Sequence, residues 1–113
     1  VHAEAPDEAA TDWEEIVALY DLLLVNSPSP VIELNRAMAI AMKDGVERGL
    51  ELVEDLLARG ELGDYHLAHA ARADLCRRIG RRGDARASYA RALKLVRAEP
   101  ERRWIEPRLR ELE

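Results

Sequence analysis

Between Pro28 and Met42 the chain reads Pro-Ser-Pro-Val-Ile-Glu-Leu-Asn-Arg-Ala-Met-Ala-Ile-Ala-Met, and this stretch limits the fold more than any other. Ser29 suits a helix N-cap, and Pro30 suits the first helical position, where a missing N–H removes no hydrogen bond. On a helical projection Leu34, Ala37, Met38, Ala41 and Met42 fill one side, and Ile32, Ala39 and Ile40 fill much of the other. A helix apolar nearly all round belongs between neighbours. This one is too short and too interrupted to cross a bilayer. Asn35 and Arg36 stand in its middle. A buried amide or guanidinium needs partners, so these two are either structural ties or the floor of a groove.

The rest of the chain supplies the neighbours. Thr11 and Glu14 have capping-box spacing, and Trp13, Ile16, Val17, Tyr20, Leu23 and Leu24 recur at three- and four-residue steps. That periodicity predicts a first helix from Thr11 to about Asn26. The central helix runs from Pro30 to about Lys43 and stops at the turn Asp44-Gly45. A third is expected over 46–59, with Val46, Gly49, Leu50, Val53, Leu56 and Leu57 inward. Gly60 and Gly63 bracket a loop, and Asp64 is placed to cap a fourth helix over 65–79 that Gly80 ends. A fifth covers about 84–98. A sixth starts at Pro100 and carries Trp104, Ile105, Leu109 and Leu112, and Pro107 should kink or shorten it.

No segment alternates apolar and polar residues with β-branched enrichment, so the expected class is all-α with about six helices. At 113 residues the chain is one small domain. Residues 1–10 lack periodicity and read as a linker, with the helical domain over 11–113; without an initiator Met, a preceding region is expected. Short connections suggest stacked hairpins, that is, an α-solenoid. Residues 65–98 fit one tetratricopeptide (TPR) unit, with Ala73 at the small site of its first helix, Gly80 at the turn, and Ala85, Tyr89 and Ala92 as the small-aromatic-small set of its second. The pair 31–43 and 46–59 fits less well: its turn is tighter, and Gly49 or Leu50 stands where Ala is expected.

The run Thr11-Asp12-Trp13, with Ile16 through Asp21, Pro28 through Val31 and Leu34 through Ala37, is joined by Tyr65 through Leu75 and by Glu99-Pro100-Glu101-Arg102-Arg103. Together these resemble the C-terminal TPR-like extension of a group of bacterial extracytoplasmic-function (ECF) sigma factors, whose genes often neighbour those of YCII-related proteins. The resemblance spans His2 to Leu112. It implies that two sigma domains precede Val1, binding core RNA polymerase and promoter DNA, and that the extension controls sigma activity in place of an anti-sigma factor. The implied partners are therefore those sigma domains and core RNA polymerase, with DNA bound by the preceding region and not by this domain. Pro107 departs from the family pattern, which has a helix former there.

Chemistry is sparse. His66, His69 and Cys76 are the only soft metal ligands in the helical region, and Cys76 lies two turns beyond His69, too far to share an ion with it. A packed, hydrogen-bonded His69 beside Cys76 is the simpler expectation. No nucleophile–base arrangement, phosphate loop or HExxH is present, so neither catalysis nor a cofactor or metal is expected. A lone cysteine and the lack of a signal peptide or membrane span make a cytoplasmic protein the default.

Binding is the better prospect. Arg72 projects into the apolar arc of the fourth helix and needs a carboxylate or several carbonyls; Glu33, Asp74 or a group on a partner would serve. Asn35, Arg36, His69 and Arg72 either face one groove, since first helices of TPR pairs line the concave side, or form an internal network. Residues 72–110 carry 13 Lys and Arg against 5 Asp and Glu, and the acidic excess lies mostly before them. Within that basic half Arg77, Arg78, Arg81 and Arg82 cluster at one turn. They are either a solvated turn or a dock for an acidic surface, because no aromatic interleaving supports base recognition. Two functions follow: a non-catalytic regulatory domain of an ECF sigma factor, or a TPR peptide-binding scaffold unrelated to transcription.

Overall fold

Six helices make up nearly all of the computed structural model, which describes residues 11–113: α1 (Trp13–Asn26), α2 (Pro30–Asp44), α3 (Val46–Ala58), α4 (His66–Arg78), α5 (Arg82–Leu95) and α6 (Glu99–Glu111). No strand occurs among the described residues. The expected linker, 1–10, lies outside them. Each helix packs chiefly on the next in the chain, with only a light contact between α2 and α4. The result is an all-α stack of helical hairpins. Among the described residues no helix is long and apolar enough to cross a membrane.

The helix ends follow local chemistry. Ser29 Oγ accepts the Ile32 N–H at 3.3 Å, with Pro30 at the first position of α2, a cap of about 1 kcal/mol in comparable helices. At the end of α4, Gly80 has φ of 85°, and the Arg81 N–H reaches back to the Cys76 carbonyl at 2.9 Å. This left-handed turn closes the helix and suits glycine. Several expected starts move. The cap of α1 is Asp12, whose side chain accepts the Glu15 N–H at 3.0 Å, one residue beyond Thr11. Before α4 the N-cap is Tyr65, and no side chain caps it; Asp64 instead lies 3.6 Å from Arg91 of α5. The start of α5 is Arg82, earlier than expected, and its end Leu95.

Pro107 does not end α6, which continues to Glu111. Proline removes the N–H that would bond the Arg103 carbonyl. Arg103 is exposed, so that carbonyl has access to water. At the end of α6, Arg82 and Arg86 of α5 donate to the Leu112 carbonyl at 3.3 and 3.0 Å, cations at the negative end of the helix dipole.

The main core joins Leu34, Ala37 and Ala41 of α2 to Leu50, Val53 and Leu56 of α3, then to Ala68, Ala73, Leu75, Cys76, Ala85, Tyr89 and Ala92 of α4 and α5. A smaller cluster joins Val17 of α1 to Ala39 and Ile40 on the other side of α2, with Trp13, Ile16 and Tyr20 against it. So α2 is clamped between α1 and α3. It still keeps one open strip: Val31, Asn35 and Met42 are exposed and Met38 is half-buried. These positions recur at i, i+4, i+7 and i+11, one line along the helix.

Candidate functional site

That strip leads to a groove. Two adjoining recesses of about 250 and 530 Å³ share Asn35 and Met38 of α2 with Asp74 and Arg78 of α4. The first is walled by Trp13, Ile16 and Tyr20 of α1 and reaches Met42. The second passes Tyr65, Leu67 and Arg77 and ends at Trp104 and Arg108 of α6. The even-numbered helices thus form the floor, with α1 as one wall. Their spacing follows from the hairpins, which put every second helix on the same side of the stack.

The polar groups of the groove are few and placed. Asp74 holds Arg77 at 2.6 Å and Arg78 at 3.1 Å. Its hydrogen bond raises the pKa of the Arg77 guanidinium, keeping it charged. Arg108 lies with its guanidinium carbon 3.8 Å from the Trp104 ring centroid, a cation–π pair one helical turn apart. Arg108 has no carboxylate within ion-pair distance among the described residues. Asn35 is exposed at the meeting of the two recesses. The groove therefore offers aromatic and thioether surface, one amide, and more guanidinium than carboxylate.

Of the four residues expected to share a groove, only Asn35 lines this one. Arg36 turns to the other side of α2 and donates to Asp21 of α1 at 2.6 Å. His69 is tied to the loop before α4, its Nε2 lying 2.9 Å from the Gly63 carbonyl oxygen. Arg72 donates to Glu54 of α3 at 3.0 Å and to the buried Ser88 hydroxyl of α5 at 2.6 Å. Its carboxylate partners are Glu54 and, at 3.9 Å, Asp84, not Glu33 or Asp74, because α4 packs on α3 and α5. The turn cluster also divides. Arg77 and Arg78 edge the groove, while Arg81 pairs with Asp84 at 2.8 Å and Glu54 at 3.3 Å and Arg82 caps α6.

Met38, Asp74, Trp104 and Arg108 belong to the groove and were not singled out for it from the sequence. The strip through Asn35, Met38 and Met42, and the four-residue spacing of Trp104 and Arg108, are the signals that point to them. Trp104 in particular is not core, being 46% exposed. Elsewhere, Cys76 is buried, and burial pushes its thiol pKa up, with Arg72 and Arg81 opposing; a thiol held protonated is a poor nucleophile. No three His, Cys, Asp or Glu side chains gather as a metal site among the described residues.

Among known proteins, the chain is similar to an uncharacterized protein of Rhizobium meliloti (strain 1021), with 39% identity over 109 residues. The match covers 96% of this chain and 25% of the relative, so the chain spans about a quarter of the length of that curated protein. No family model matches the chain, and no solved structure matches it.

Proposed function

We propose that this chain is a non-catalytic regulatory and protein-interaction domain of a bacterial ECF sigma factor, acting on transcription initiation through contacts with the sigma domains or core RNA polymerase. The observation that supports it best is the division of labour among the polar residues. His69 and Arg72 are engaged within the stack and Arg36 is held by Asp21 on the other side of α2, while Asn35, Trp104 and Arg108 stand at an open groove. A surface of aromatic rings and arginines is the composition of protein-recognition patches. On this reading promoter DNA is bound by the region preceding Val1, the protein works in the cytoplasm, and the domain needs neither metal nor cofactor.

The test is promoter-directed transcription by the full-length protein. Deleting residues 11–113 is expected to change it, and Trp104→Ala with Arg108→Ala should change it in the same direction. Unchanged transcription after the deletion, with the protein still soluble, would overturn the proposal. The same groove also suits a TPR-like peptide scaffold unrelated to transcription. An upstream coding sequence lacking polymerase-binding and helix-turn-helix regions selects that second reading.

A further inference from the structure

The two ends of the helical stack are finished differently. At the C-terminal end α6 exposes Glu99, Arg103, Arg110 and Glu111, and the pairs Arg103–Glu99 and Arg102–Glu106 run along it at 3.8 Å. At the N-terminal end α1 turns Trp13, Ile16, Val17 and Tyr20 onto α2 but leaves Leu19, Leu22, Leu23 and Val25 between 49% and 80% exposed. These four make up half of the large exposed hydrophobics among the described residues, gathered within two turns of one helix. A stack of helical units ends in a unit with a polar outer face. The outer face of α6 meets that requirement and that of α1 does not.

Two observations indicate what covers α1. Helices here pack on their neighbours in the chain, so a further layer on α1 would come from chain that precedes it. Charge gives the chemistry: α1 and its cap hold Asp12, Glu14, Glu15 and Asp21 and no Lys or Arg. Asp21 is already met by Arg36 of α2, and Asp12, Glu14 and Glu15 stand at the start of α1, so a helix carrying Lys or Arg suits this end better than a second, equally acidic α1. The matched relative has three further quarters of chain outside the aligned region, length enough for added helices.

We propose that Leu19, Leu22, Leu23 and Val25 dock an amphipathic helix with Lys or Arg along its flanks, supplied by the same polypeptide from upstream of Val1. The upstream origin rests on the sigma-factor reading above; the docking itself is read independently of transcription. Hydrogen exchange in the full-length protein, set against the 113-residue chain, tests it directly. Amides of residues 17–26 are expected to exchange about tenfold or more slowly in the full-length protein, as local burial protects them, while those of α6 do not change. Leu19→Glu with Leu22→Glu should lower the melting temperature of the full-length protein and leave that of the 113-residue chain where it was.

Equal exchange of α1 in both proteins overturns the proposal. So does protection of α1 in the short chain that grows with its concentration, which would make a second copy the occupant. An equal loss of melting temperature in both proteins overturns it as well, since the face would then be buried within the domain. The transcription test can fail while α1 remains protected; that outcome removes the sigma assignment and keeps the docked helix.

Discussion

The hairpins α2/α3 and α4/α5 solve the same packing problem by opposite means. In the first, the helices close by subtraction. Gly49 of α3 sits so near α2 that a Cβ there would stand 2.8 Å from Ala41 Cα and 2.9 Å from the Ala37 carbonyl oxygen, and would strike Ala41 Cβ as well. In the second, Ala73, Ala85 and Ala92 are small, but the space between is filled by Tyr89, which is buried. That joint is then fastened by Arg72, which reaches Glu54 on one neighbour and Ser88 on the other. One joint is closely approached at Gly49 and intolerant of added atoms. The other is built on a large ring and a polar bridge, and is intolerant of their removal.

The largest expected effect breaks the second joint. Tyr89→Ala should cost about 3–5 kcal/mol, the range for deleting a buried aromatic side chain, as measured by urea unfolding at neutral pH. Leu34→Ala in the first hairpin should cost about 2–5 kcal/mol by the same measurement. A loss below roughly 0.5 kcal/mol, typical of surface sites, would contradict the burial of Leu34.

Gly49→Ala separates the two joints by sign. On an open helix face alanine is about 1 kcal/mol better than glycine. Here the contacts are with helix backbone, which cannot rotate away, so overpacking should prevail with a net loss of about 1–3 kcal/mol. Calorimetry showing a raised melting temperature would mean that α2 and α3 are not held this closely. The counterpart in the second joint is Arg72→Ala. It leaves the Ser88 hydroxyl buried without its partner and should cost about 1–3 kcal/mol. Pairing it with Ser88→Ala in a double-mutant cycle should return part of that loss, because the orphaned hydroxyl is then gone.

This contrast also explains how far the sequence could be read. The periodicity of Leu34, Ala37 and Ala41, the caps at Ser29 and Gly80 and the small-aromatic-small set around Tyr89 are local, and all appear in the structure where local rules place them. The partners of charged residues are not local. Arg72 projects into an apolar arc, which shows that it needs a carboxylate, but only the docking of α4 on α3 makes that carboxylate Glu54. Arg36 and Asn35 are adjacent in sequence and about 100° apart on the helix. One therefore meets Asp21 and the other opens on the groove. Trp104 has the spacing of a core residue in α6, yet it stands beside Leu67 of α4 at the surface of the stack, and its ring is left to line the groove.

The smallest expected effect compares one ion pair from each region. Glu33 of α2 is held by Arg59 at the end of α3 through two hydrogen bonds of 2.9 and 3.1 Å. Those bonds lower its pKa below the ordinary 4.5, against the opposing effect of burial. Asp84 of α5 is lowered from 3.8 by its hydrogen bond to Arg81. A carboxyl with a depressed folded pKa contributes stability in full above its unfolded value, and the contribution is lost as pH falls through the folded value. Glu33→Gln should therefore flatten the acid side of the stability–pH curve from about pH 4.5 downward, and Asp84→Asn only from about 3.8 downward. Both pairs are substantially solvated, so each change should be at the small scale of surface ion pairs and shrink in high salt. Thermal melts across pH 3–6, at low and high salt, measure it. If the two variants flatten the curve over the same interval, the two pairs do not differ as their lowered carboxyls imply, and the acid response does not distinguish the two joints.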